Sequence, residues 1–237
     1  MQPSKIFRST VLSVGVAAAL GTAVPSFAQG SATPTAASSN VGAGTKRDQL
    51  LDSVASLNEN LVEFALAGKA DKVAESLKDI EAAMPKLKPA LGEAAFGRVE
   101  AQVRDMQAAI GRQDLNAAAL SSIEVYRLLQ EAVDQNARPV PLDVALLDYS
   151  GFKLSALAAA PQPNWTAVND AASEADRFWK RLEPRVNNGS LRALVSHIGQ
   201  GLTDGAARKD SGQVAFAAKM LLDSVDLLET DSTAKGK

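Results

Sequence analysis

The chain has 237 residues, with 25 basic and 27 acidic side chains, one histidine and no cysteine. A mildly acidic balance argues against nucleic acid and anionic membrane surfaces, both of which attract basic patches. The missing thiols exclude thiolate nucleophiles, iron–sulfur clusters, zinc–thiolate sites and covalent c-type haem, and a single imidazole removes most histidine chemistry.

The chain opens with Lys5 and Arg8, then an uncharged Val-, Leu- and Ala-rich run over residues 9–24. Pro25 follows, and the small residues Ser26 and Ala28 flank Phe27. This is the order of a secretory signal peptide, with cleavage expected after Ala28. The run is shorter than the roughly 20 residues a transmembrane helix requires. No cysteine follows to carry a lipid, and no twin-arginine pair precedes the run. The expectation is a periplasmic protein with no stable membrane insertion once residues 1–28 are removed. Residues 29–44 are Gly, Ser, Ala, Thr and Pro with almost nothing bulky, the composition of a flexible linker.

Eight segments with helical periodicity follow, and none reads as a strand. Leu50, Val54, Leu57, Leu61 and Phe64 step by three and four, which places them on one helical face. Val73, Leu77, Ile80, Met84 and Leu87 repeat the stepping, with Pro85 expected to kink or end that helix. Phe96, Val99, Val103, Met106 and Ile110 form the third stripe, and a fourth helix is expected over residues 114–135. The fifth, over residues 142–160, is apolar nearly all round and should be central. Asn164 is a suitable N-cap for the sixth, which carries Trp165, Val168, Ala172, Ala175, Trp179 and Leu182. Leu191, Leu194, Val195, Ile198 and Leu202 mark the seventh; Val214, Ala218, Leu221, Val225 and Leu228 mark the eighth. Residues 230–237 have the polar character of a frayed tail.

The two halves resemble each other. Met84, Leu87 and Pro89 fall on Trp179, Leu182 and Pro184 at an offset of 95, and Arg112 and Asp114 fall on Arg208 and Asp210 at 96. The expected fold is therefore all-α: an internally duplicated up-down four-helix bundle, with repeats over residues 45–137 and 138–229.

Leu57, Asn58, Glu59, Asn60 and Leu61, the spacing into Val73 and Leu77, and the Ala-rich fourth helix give about 90 residues a resemblance to the periplasmic four-helix-bundle cytochromes of the b562 and c-prime type. The resemblance implies a bundle fold. It does not extend to haem ligation: Val54 stands where the b-type family places an axial methionine, and residues 128–134 hold no histidine.

Several residues are candidates for chemistry. Asp148, in the most apolar helix, needs a partner or a raised pKa if buried, and Lys153 or an arginine from another helix would satisfy it. Tyr149, Phe152, Trp165, Phe178 and Trp179, with Tyr126, concentrate the scarce aromatics and suggest a small apolar pocket. His197 with Met220 is the remaining route to haem. Asp223, Asp226 and Glu229 on one helix face suit a hard cation, although no EF-hand loop is present. Met84, Met106 and Met220 read as core fillers. No nucleophile elbow, zincin motif, phosphate loop or dinucleotide fingerprint occurs. The expectation is an exported non-enzymatic binding protein without a cofactor, whose partner is another periplasmic protein or a small apolar ligand. The alternative is a bundle holding haem or a divalent cation.

Overall fold

The computed structural model describes residues 46–136 and 138–233, so the signal peptide and linker expected at residues 1–44 lie outside the described residues. Eight helices run in order: α1 Lys46–Leu66, α2 Ala70–Leu91, α3 Glu93–Gly111, α4 Leu115–Ala132, α5 Leu142–Ala159, α6 Trp165–Leu182, α7 Gly189–Arg208 and α8 Ser211–Thr233. A 3₁₀ turn, Glu183–Arg185, follows α6. There is no strand among the described residues, and the all-α expectation holds.

Local chemistry sets most of the boundaries. Asp114, Asn164, Asn188 and Asp210 each accept a backbone N–H from the first turn of the following helix, which satisfies donors that have no intrahelical partner. Gly92 alone joins α2 to α3 at φ +76°, a conformation that costs other L-residues a steric penalty. Gly68, at φ +70°, closes α1 in the same way, with Lys69 N–H donating to Phe64 O.

The helices pack as two closed rings. In the first, α1 contacts α2 and α4, and α3 contacts the same two; in the second, α5 contacts α6 and α8, and α7 contacts the same two. The broadest contacts join the first and last helix of each ring, and α4 packs against α5 to connect the rings. Short connections force neighbouring helices to run antiparallel. Leu51, Leu61, Ile80, Met106, Ile123 and Leu154 have no more than traces of exposed surface. Each fully buried side chain of this kind contributes about 1.5–3 kcal/mol. The central position expected for α5 is observed: it buries residues on every side, from Val144 to Ala158.

Three expectations need correction. Helix α2 does not end at Pro85, one of the two outcomes expected there, but continues through Pro85 and Pro89 to Leu91. Pro85 is exposed, so the carbonyl left without its helical N–H lies on the side open to water, while Val73, Leu77, Ile80 and Leu87 hold the opposite face in the core. In α1 the buried face is centred on Leu51, Val54, Ala55, Leu61 and Val62, rotated from the expected stripe, and Leu50, Leu57 and Phe64 are only half-buried. That rotation brings Asn58 and Glu59 inside. Residues 230–233, expected to be frayed, instead continue α8 to Thr233. The Asp231 carboxylate accepts the N–H groups of Asn187 (2.8 Å) and Asn188 (3.2 Å) and ties the helix end to the turn before α7.

The turns before α4 and α8 share one geometry. Gln113 and Lys209 are the non-glycine residues with positive φ, at 59° and 58°, among the described residues. Each is followed by a capping aspartate whose N–H reaches back to the preceding helix, Asp114 to Ala109 O and Asp210 to Gly205 O, both at 2.9 Å.

Candidate functional site

The structure does not gather the sequence candidates into one place. Phe152 lies in the core and Trp165 is half-buried at the start of α6. Trp165 and Trp179 are roughly 21 Å apart along the helix at 1.5 Å per residue. His197 is exposed on α7, Met220 is half-buried and Met106 fully buried. Asp223 pairs with Lys219 at 3.0 Å on the surface of α8. No group of three His, Cys, Asp or Glu side chains among the described residues is arranged to hold a metal ion.

Asp148 and Tyr149 belong to a polar seam where α4 meets α5. Each helix there lends a tyrosine to a carboxylate of the other. Tyr126 of α4 hydrogen-bonds Asp148 of α5, and burial together with the Asp148 and Glu59 charges pushes its phenol well above the ordinary range. Tyr149 of α5 donates to Glu124 Oε1 of α4 at 2.6 Å. Lys153, expected as a partner for Asp148, is instead directed at Glu124 (3.0 Å) and at the Tyr149 hydroxyl (2.5 Å), with Glu174 of α6 at 3.7 Å. Arg127 clasps Glu124 with Nε and a terminal nitrogen at 3.0 and 2.9 Å and lies over the Tyr149 ring.

The electrostatics fit a fastening better than a catalytic pair. Burial raises the Glu124 carboxyl, but the Tyr149 hydroxyl, Lys153 and Arg127 outweigh it and hold it below the usual carboxylate range. Burial and the bond to Glu124 push the Tyr149 phenol far upward. Lys153, one helical turn beyond Tyr149, donates to its hydroxyl directly, while the hydroxyl's own proton is held by Glu124.

A cleft opens between α6 and α7. It encloses about 190 Å³ over a floor formed by Leu147 of α5, Trp179 of α6, Val195 and Leu202 of α7, and Leu221 of α8. Trp179 is 6% exposed, and its indole Nε1–H donates to Ser196 Oγ at 3.0 Å, which fixes the ring plane. Gly199 lies on the wall, and a Cβ placed there meets nothing within 4 Å. A larger residue at that position would stand in the cleft.

The mouth is polar. Lys180 donates to Asp176 Oδ2 at 2.6 Å across one helical turn, and Gln200 and Thr203 stand opposite on α7. Their side chains are engaged, Gln200 with Asp204 Oδ1 and Thr203 with Gly199 O. Glu183 completes the rim at the end of α6, with its backbone N–H donating to Trp179 O. Its carboxylate makes no ion pair with a described residue.

Of the candidate residues read from the sequence, only Trp179 lines this cleft. Glu183, Ser196, Gly199 and Gln200 escaped sequence reading. The pair of glycines at 199 and 201, inside an otherwise regular helix, was the available signal, because glycine weakens a helix interior unless space is needed there. The chain matches no known protein family, no curated protein and no solved structure.

Proposed function

We propose that this chain is an exported, non-enzymatic binding protein of a bacterial periplasm, and that the α6–α7 cleft is its ligand site. The observation that carries this reading is the indole of Trp179, held by Ser196 at the floor of a space of about 190 Å³. An apolar cavity of roughly 150 Å³ accepts benzene, so the cleft suits a molecule of one ring with a short substituent. An apolar floor under a few fixed polar groups is the usual make-up of a small-molecule site. The tyrosines and carboxylates of the α4–α5 seam bind one another, which supports a structural role for them.

A protein partner is the second reading, supported by Phe216 and Leu227 of α8, which are 69% and 52% exposed. The repeated ring order and the matching turns before α4 and α8 support descent from a duplicated four-helix unit, with repeats over residues 45–137 and 138–229. The order of residues 1–28, two basic residues, an uncharged apolar run and then Ser26, Phe27 and Ala28, supports export.

The test is Trp179 fluorescence in a Trp165→Phe background, titrated with 2-phenylethanol as the apolar probe. Saturable binding is expected, and Gly199→Leu, which puts a side chain into the cleft, should abolish it. An emission spectrum unmoved by the probe refutes the cleft as a ligand site.

A further inference from the structure

The charges around the mouth define the class of ligand more narrowly. We infer that the α6–α7 cleft selects a small organic cation, a compact apolar or aromatic body bearing an ammonium group; this inference rests on the cleft being the ligand site. Asp176, Lys180 and Glu183 are the charged residues on the rim. Lys180 is bound to Asp176 at 2.6 Å, so these two largely cancel. Glu183 remains as the unmatched charge, half-exposed and beside the opening.

Two further features act in the same direction. The cleft is bordered by the C-terminal turn of α6, and the C-terminal end of a helix carries partial negative charge that favours cations. The face of an indole also attracts an ammonium group, more strongly than any other aromatic side chain. An ammonium at the mouth would thus meet Glu183 and the end of α6, within reach of the indole's field, while its apolar body rests on Trp179, Leu147, Val195, Leu202 and Leu221. An anion of the same shape would meet the same groups with the sign reversed. Arg181, the other cation of this turn, is drawn away to Asp143 and lies over the Phe178 ring, 5.0 Å from its centroid, so it does not neutralise the mouth.

The experiment compares three probes with the same phenyl body: 2-phenylethylamine, 2-phenylethanol and phenylacetate. Binding is followed by Trp179 emission in the Trp165→Phe background and by native mass spectrometry of the mature protein. The amine should bind about tenfold more tightly than the alcohol at low salt, and phenylacetate more weakly than either. Raising the salt should narrow the gap, since a charge at a solvent-open mouth is screened. Glu183→Gln, on the rim and isosteric, should lower amine affinity about three- to fivefold and leave the alcohol unchanged. Lys180→Gln releases Asp176 and should shift the preference further toward the amine.

If the alcohol or phenylacetate binds as tightly as the amine, the charge selection is overturned while the cleft stands as an apolar site. If none of the three binds, the ligand site and the inference fall together. If Glu183→Gln weakens the alcohol as much as the amine, Glu183 shapes the cleft without recognising charge, and the cation assignment is overturned.

Discussion

A single methyl group added at Gly151 tests how closely α5 approaches α8. A Cβ built there stands 2.6 Å from Leu222 Cδ2, 2.7 Å from Leu222 Cγ and 3.3 Å from Ala218 O. Carbon atoms in good contact sit roughly 3.5–4.0 Å apart, so about 1 Å must be found. Turning the end of Leu222 does not provide it, because Cγ is as close as Cδ2. Either Leu222 changes rotamer at its root or the two helices separate. Overpacking of this kind costs about 1–3 kcal/mol. The exchange of glycine for alanine inside a helix returns about 0.5–1 kcal/mol of that.

Gly97 of α3 supplies the control. It is exposed, it lies inside a helix, and a Cβ there meets nothing within 4 Å. Gly97→Ala should stabilise the protein by the full helix term, about 0.5–1 kcal/mol. Gly151→Ala should therefore fall below Gly97→Ala by about 1–3 kcal/mol. Urea unfolding followed by circular dichroism measures the difference, with unchanged slopes showing that the shift is one of stability. Leu222→Ala combined with Gly151→Ala should be less damaging than the two separate effects imply, because the first change makes room for the second. Equal stability of Gly151→Ala and Gly97→Ala would refute the close approach of α5 and α8.

The matching turns predict matching energetics: Gln113→Gly and Lys209→Gly should each raise stability by about 0.5–1 kcal/mol, because each removes a side chain from a left-handed conformation. A loss at either position in urea unfolding would contradict that geometry. The α4–α5 seam predicts the pH profile. Glu124 is held below its unfolded value, so its contribution is present above about pH 4.3 and is lost as the pH falls. Tyr149 and Tyr126 are raised above theirs, so their contribution is present below about pH 10 and is lost as the pH climbs past it. Tyr149→Phe should destabilise by about 1–2 kcal/mol at pH 7 and flatten the alkaline limb of the urea midpoint. Glu124→Gln should flatten the acid limb. Limbs unchanged in the variants would show that other groups control these transitions.

Much of the fold was legible in the residues themselves. The three-and-four stepping of apolar positions located eight helices, and Asn164 was recognisable as a cap, because both signals arise from contacts within a turn or two of one segment. An end of α2 at Pro85 did not follow, because a proline's effect depends on whether the affected carbonyl faces water or core, and the isolated segment does not say. Trp179 was legible as a candidate from its scarcity alone, but not its cleft, which needs Leu147, Ser196, Gly199 and Leu221 from three other helices.

What the sequence by itself determined is the helical class, the approximate element boundaries and the inventory of chemistry the chain lacks. All three follow from local periodicity, capping and composition. Only the tertiary structure decided that Tyr126 meets Asp148, that Tyr149 and Lys153 converge on Glu124, and that α6 and α7 part over an indole. Such pairings depend on the rotation and register of helices far apart in the chain. A one-residue change in where an apolar stripe is centred, as in α1, turns a helix by about 100° and changes every partner it meets.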